Sequence, residues 1–218
     1  MPLPLGYGIG VSTRDHYDDV FSVYLPVAVV VFALVCAAIG VALIRGRRHR
    51  EPSSRKDHMP LEAVYVAVLA VVTAALLTLT LSVDDRITDA RAGSGGERVR
   101  VLAAQWHWRF EYPGHRVTVD GTDERDAVLV VPRGVPIHFE GRSLDVIHAF
   151  WVPRQRFQRE LFNDRVTRWT MTFGAADDGA AGVCSFFCGL GHPSMGFRVR
   201  VLEPAAFDAW ARRQGAGQ

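Results

Sequence analysis

Two long apolar runs dominate the first third of the chain, over residues 21–44 and 61–83. Each exceeds the roughly 20 residues that a helix needs to cross the hydrocarbon of a bilayer. Each is also apolar around its whole circumference, unlike a core helix with one wet face. Between them lies Arg45-Gly46-Arg47-Arg48-His49-Arg50, continuing through Arg55 and Lys56. A basic loop stays on the cytoplasmic side, so loop 45–60 is expected inside and both ends of the hairpin outside. Residues 1–20 lack the basic start, short apolar core and small-residue cleavage site of a signal peptide. Asp15, Asp18 and Asp19 make them acidic, and they are expected to form an outer segment. Cys36 reads as a small apolar residue of the first span, without chemistry.

Residues 84–97 are polar and glycine-rich and read as a linker. From residue 98 the period changes from helical to two. Val99–Ala104, Arg116–Val119, Ala127–Val131, Val135–Glu140, Arg168–Phe173 and Gly196–Leu202 are short strand-like runs. Pro113-Gly114, Pro132-Arg133-Gly134 and Asp177-Asp178-Gly179 punctuate them as turns. Evenly spaced short strands predict an all-β sandwich or barrel over 98–203. Residues 204–218 read as a short helix or tail.

Composition changes this picture little. The chain is 49% hydrophobic and 22% charged, an average over the two spans and an outer domain of ordinary globular composition. A net charge of +2 gives no reason to expect a nucleic-acid partner.

The chemistry is concentrated in Cys184-Ser185-Phe186-Phe187-Cys188-Gly189-Leu190-Gly191-His192-Pro193-Ser194-Met195. Two thiols, an imidazole and a thioether in one glycine-rich loop form a soft ligand set of the kind that selects copper. A second imidazole has to come from elsewhere. His148, in Ser143-Leu144-Asp145-Val146-Ile147-His148, is the best candidate and is expected at the end of a strand. A disulfide between Cys184 and Cys188 would leave His148, His192 and Met195 unexplained. A zinc site of two cysteines and two histidines would leave Met195 unexplained.

These two segments resemble the dinuclear copper (Cu-A) site of subunit II of cytochrome c oxidase. The family pattern is roughly S-x-D-V-x-H-x-x-x-x-P followed by C-S-E-x-C-G-x-x-H-x-x-M. The stretch Gln105-Trp106-His107-Trp108-Arg109-Phe110-Glu111-Tyr112 is similar to the family's Q-W-x-W-x-Y-E-Y. The resemblance implies a two-helix transmembrane hairpin followed by a cupredoxin-like Greek-key barrel. It implies two copper ions held by His148, Cys184, Cys188, His192, Met195 and the backbone carbonyl of Phe186. Phe186, Phe187, Phe150 and Trp151 are expected to exclude water. Trp106 matches the tryptophan at which the family receives electrons from a c-type cytochrome. Glu62, near the start of the second span, corresponds to a glutamate at the mouth of a proton path.

The implied protein is the electron-transfer subunit of a bacterial cytochrome-c oxidase, a proton-translocating enzyme of the plasma membrane. Its oxygen site lies in subunit I, which holds haem and Cu-B. Subunits I and III and a c-type cytochrome would be its partners, and its copper domain would face outward. A Cu-A subunit of a nitric oxide reductase and a membrane-anchored copper carrier are the alternatives. Phe186 replaces the family's glutamate, which resembles a magnesium ligand at the subunit I interface. A phenyl ring cannot supply that oxygen, so the magnesium site is absent or completed by other groups. Glu160 is a weaker candidate for that interface. Asp123, Glu124, Asp126, Asp177 and Asp178 could form an acidic docking patch, while Arg154, Arg156 and Arg159 are expected to face subunit I or lipid. His107 and His138 read as ordinary polar histidines, and His115 has no partner evident in the sequence.

Overall fold

The computed structural model describes residues 13–48, 59–88, 95–122 and 125–217. The outer residues 1–12, the centre of the basic loop from His49 to His58, residues 89–94 of the linker and Gln218 lie outside the described residues, as do Asp123 and Glu124 of the expected acidic patch.

The two apolar runs are helices: α1, Thr13–Arg48, and α2, Met59–Thr88. Both extend past the apolar windows into polar residues. Both are long and apolar enough to cross a membrane. Their apolar side chains, such as Phe32, Leu34 and Val71, face outward, as lipid-facing residues do and core residues do not. The Tyr24 hydroxyl of α1 donates to the Leu76 carbonyl of α2 at 2.8 Å and also meets the Thr80 hydroxyl. Thr78, Thr80 and Ser82 donate to carbonyls one turn earlier. These bonds satisfy those three hydroxyls without water.

A separate compact unit is formed by Thr13–Tyr17 together with the described residues from Asp85 onward. It contains ten strands: β1 Glu97–Ala104, β2 His107–Tyr112, β3 Val117–Asp120, β4 Ala127–Pro132, β5 Ile137–Ser143, β6 His148–Val152, β7 Phe157–Leu161, β8 Thr167–Met171, β9 Ala181–Cys184 and β10 Gly196–Leu202. They form two five-stranded sheets, in the orders β3-β2-β1-β5-β8 and β4-β10-β9-β6-β7. Two pairings, β1 with β5 and β10 with β4, are parallel. The remaining pairings are antiparallel. This is the cupredoxin-like arrangement.

Alternation sorts the side chains. Val99, Val101 and Ala103 of β1 point inward while Arg98 and Arg100 point out. Trp108, Phe110 and Tyr112 of β2 are fully buried. Phe197 of the opposite sheet stacks on Phe150 at 4.8 Å and meets Trp108 and Phe110 edge-on, both at 5.4 Å. Such ring pairs stabilise beyond their area alone, and here they bind the two sheets into one core. A terminal helix, α3 Pro204–Gly215, sets Phe207 and Trp210 against Tyr112.

The first turn of α1 belongs to this unit. Thr13 N–H donates to Thr172 O at 3.1 Å, and Thr172 N–H donates to the Thr13 hydroxyl at 2.9 Å. Arg14 N–H donates to the side-chain oxygen of buried Gln155, and Arg156 lies over the Tyr17 ring.

His148 does lie at a strand end, as the first residue of β6, following β5. Several expectations need correction. Asp177 is buried, where its carboxylate accepts the Gly174 N–H, so it cannot belong to a surface acidic patch. Only Asp126 and Asp178 of that group are exposed among the described residues. His115 does have a partner, Glu97, at 2.9 Å.

Candidate metal centre

The elements that carry the donors meet at one end of the second sheet. β6 pairs with β9, setting Phe150 opposite Cys184. β9 pairs in turn with β10, so the 185–195 loop must leave and re-enter the sheet at adjacent strand ends. That geometry brings the loop back over His148. Cys184 N–H donates to Met195 O at 3.0 Å, and Ser185 N–H donates to Ala149 O at 3.1 Å, closing the base of the loop.

The nitrogen and sulfur atoms of His148, Cys184 and Cys188 lie within 4.8 Å of one another, all three residues buried. The two sulfurs are 3.8 Å apart. His148 Nδ1 is 3.8 Å from the Cys184 sulfur, and His192 Nδ1 is 3.6 Å from the Cys188 sulfur. Met195 Sδ is 3.7 Å from the Cys188 sulfur, and Phe186 O is 3.1 Å from the Cys184 sulfur. Every donor named from the sequence therefore converges on the thiol pair.

The charge balance of the pair suits a cation. Burial raises the Cys184 thiol, but hydrogen bonds from His148 and neighbouring groups outweigh it and hold Cys184 well below the ordinary thiol range. Burial and the adjacent Cys184 charge push Cys188 up. Two thiolates this close oppose each other's ionisation. A positive ion between them removes the conflict, so a soft metal fits these residues.

Asp145, quoted in the sequence pattern but given no role there, is the principal residue that sequence reasoning missed. Its Oδ1 accepts from His148 Nε2 at 2.8 Å and from Val146 N–H at 2.7 Å, while Oδ2 accepts from Gln105 N–H at 2.7 Å. Burial works to raise the Asp145 carboxyl, but these bonds hold it below its ordinary value. Burial likewise opposes the His148 charge, and Cys184 and Asp145 outweigh it. With Nε2 committed to Asp145, Nδ1 is the nitrogen left to face the sulfurs, which is how a carboxylate fixes the tautomer of a metal-binding histidine. An aspartate three residues before a strand-starting histidine was the available signal.

The surroundings differ from expectation. Phe150 is fully buried behind the site and Trp151 is half-buried. Phe186 and Phe187, expected to shield it, are instead exposed, as is Leu190 at 93%. The loop turns Phe186, Phe187 and Leu190 outward while the Cys184 and Cys188 sulfurs and the Phe186 carbonyl oxygen face in. Trp106 precedes β2, is 38% exposed, and donates from Nε1 to Cys188 O at 3.2 Å. Glu62 sits in the first turn of α2, exposed. Glu160, half-buried on β7, accepts from Gln158. Arg154 reaches toward Asp177 at 4.0 Å.

Fold and site together define a class: a cupredoxin-like domain with a buried sulfur–imidazole centre, carried on two apolar helices. No family model matches the sequence. Among curated proteins, the chain is similar to cytochrome c oxidase subunit 2 across bacteria. It is 28% identical to that of Bacillus sp. (strain PS3) over 180 residues, 78% of this chain and 49% of the relative. It is 23% identical to that of Cereibacter sphaeroides, over 95% of this chain and 78% of the relative. Identity rises to 36% with that of Mycobacterium tuberculosis, over 47% of this chain and 30% of the relative. The chain thus spans about half the length of the Bacillus relative. Among solved structures, the periplasmic domain of subunit II of cytochrome oxidase of Bradyrhizobium japonicum matches 56% of this chain and 96% of that domain. Its TM-score is 0.52 at 23% identity, a likeness of fold.

Proposed function

We propose that this chain is subunit II of a bacterial cytochrome c oxidase and relays single electrons through a dinuclear copper centre. The observation that carries the reading is the convergence of two imidazole nitrogens and a thioether on one close pair of buried thiols. A structural disulfide needs none of the three. Cys184 and Cys188 would hold copper through their sulfurs, His148 and His192 through Nδ1, Met195 through Sδ, and Phe186 through its carbonyl oxygen.

Copper bound there supplies a one-electron acceptor and donor. The chain's residues do the rest. Asp145 keeps Nε2 of His148 engaged and so orients Nδ1. Phe150, Trp108 and Phe197 form a dry, rigid wall behind the ligands and limit rearrangement when charge changes. Trp106 offers an exposed aromatic ring one hydrogen bond from Cys188, which suits it to receive an electron from a c-type cytochrome. The exposed Phe186 and Phe187 suit an apolar protein interface better than a hydrated ion. That supports contact with subunit I without a magnesium ion ligated by residue 186. The acceptor beyond this chain is proposed to be haem in subunit I, where oxygen is reduced. Subunit III, the lipid bilayer and an outward-facing copper domain complete the proposed setting.

The test uses the full chain in detergent, loaded with copper. Metal content and the electron paramagnetic resonance spectrum are recorded on the same sample. Two copper ions per chain sharing one delocalised electron are expected. A single ion with a localised signal would overturn the relay and favour a copper carrier. Within the assembled complex, Glu62→Gln is expected to slow proton-coupled turnover; unchanged turnover would remove Glu62 from the proton path.

A further inference from the structure

Gln105 joins the two halves of the centre, although neither its residue type nor its position before Trp106 marks it as a ligand. Its backbone N–H donates to Asp145 Oδ2 at 2.7 Å, the same carboxylate that holds His148. Its side-chain amide donates to the Cys188 carbonyl at 2.6 Å. Trp106 Nε1 donates to that same carbonyl at 3.2 Å. One backbone oxygen, on a residue whose sulfur faces the metal site, thus takes two side-chain donors from the β1–β2 turn. Gln105 is itself an exposed residue, and an exposed glutamine is ordinarily hydrated and mobile. This one is fixed at both ends.

The loop is shaped to receive it. Gly189 follows Cys188 at φ +113, where only glycine is unstrained. A Cβ there would lie 2.9 Å from Gln105 Nε2 and 3.3 Å from the Trp106 ring. A Cβ on Gly191 would lie 2.4 Å from the Trp106 ring. The two glycines therefore allow the turn to lie directly against the thiol loop.

We propose that Gln105 is a positioning residue: a clamp that fixes the Cys188 carbonyl, and so the Cys188 sulfur, relative to the Asp145–His148 pair. It rests on the copper reading only for its metal readout. A hydrogen-bond donor on the backbone of a ligand residue limits the conformations in which its sulfur can leave the metal, which is how groups outside the ligand shell tune retention.

The experiment compares the full chain with Gln105→Met, which keeps length and removes the side-chain donor to the Cys188 carbonyl, and Gln105→Glu, which sets an acceptor against that carbonyl. Copper release to a competing chelator is expected to be about 10-fold faster in Gln105→Met and faster still in Gln105→Glu, with an altered visible and paramagnetic spectrum. The thermal transition of the metal-free chain should not move, which separates the clamp from a general structural role. In the metal-free chain, alkylation of Cys188, followed by peptide mass, should accelerate in both variants. Release and alkylation within about twofold of the parent chain would overturn the clamp, since a hydrogen bond that holds a ligand residue in place is worth far more. If the parent chain does not take up two copper ions, the relay fails while the alkylation comparison still decides the clamp.

Discussion

Replacing Asp145 with alanine should loosen the metal site without dismantling the domain. His148 is fully buried, and its Nε2 has Asp145 Oδ1 at 2.8 Å as its partner. Removing that oxygen leaves a buried donor unsatisfied, which costs about 1–3 kcal/mol. The ring can escape the cost by rotating, but rotation takes Nδ1 away from the Cys184 sulfur. Either way the liganded state loses that free energy. At about 1.4 kcal/mol per decade, copper retention should fall roughly 5- to 150-fold. The independent expectation for a residue that orients a metal-binding histidine is about 10- to 100-fold, in agreement. The Gln105 and Val146 N–H groups also lose their acceptor, but Asp145 is only half-buried and water can replace it there. Asp145→Asn keeps an oxygen in place and gives up only the charge-assisted share of the bond, so it should fall between parent and alanine variant. The assay is chelator competition on the copper-loaded full chain in detergent, with near-ultraviolet dichroism as the control for tertiary structure. An alanine variant that retains copper within about twofold of the parent would refute the orienting role.

Other expectations concern the domain behind the site. A Cβ on Gly182 would lie 2.0–2.4 Å from the Phe197 ring; that ring is held by Phe150, Trp108 and Phe110, so Gly182→Ala should destabilise by about 1–3 kcal/mol and lower the thermal midpoint by several degrees. The buried Tyr112 hydroxyl donates to Val130 O at 2.9 Å and accepts Val130 N–H at 2.8 Å. Tyr112→Phe removes both and should cost about 1–3 kcal/mol by denaturant titration. Burial raises the Asp177 carboxyl above its ordinary value, outweighing the Gly174 N–H and Arg154. The folded state therefore holds this proton more tightly than the unfolded chain, and stability falls as pH rises from the ordinary carboxylate range through the folded value. Asp177→Asn, which retains an acceptor for Gly174, should flatten that slope in midpoints measured from pH 4 to 7; an unchanged slope would refute the assignment.

The donors of the site were legible because their spacing is local: Cys184, Cys188, His192 and Met195 share one loop. The strands read most easily were those with one wet face. Val99–Ala104 and Gly196–Leu202 alternate because arginines mark their outer positions. β6 is buried along almost its whole length, and β7 carries Gln158, Arg159 and Glu160 in succession, so neither shows a period of two. β2 escaped notice as a strand because its aromatics drew a functional reading first, although Trp108, Phe110 and Tyr112 alternate with His107, Arg109 and Glu111. Asp145 and Gln105 were invisible as partners because their contacts cross between separate turns. The outward-facing Phe186 and Phe187 show the limit of composition: an apolar side chain beside a metal site can face either way, and only the path of the backbone decides.

The parallel pairing of β4 with β10 bears on when the site comes into being. It sets Ala127 beside Phe197 and Val131 beside Val201, partners remote in sequence. Such closures are entropically expensive and late in folding. β10 is also the strand onto which β9, and with it Cys184, is laid. Cys184 itself meets His148 through the antiparallel pairing of β9 with β6, which sets Phe150 opposite Cys184. Metal held by these residues would favour the folded state by mass action. The centre thus depends on two kinds of pairing at once, β6 with β9 at moderate sequence separation and β4 with β10 across most of the domain.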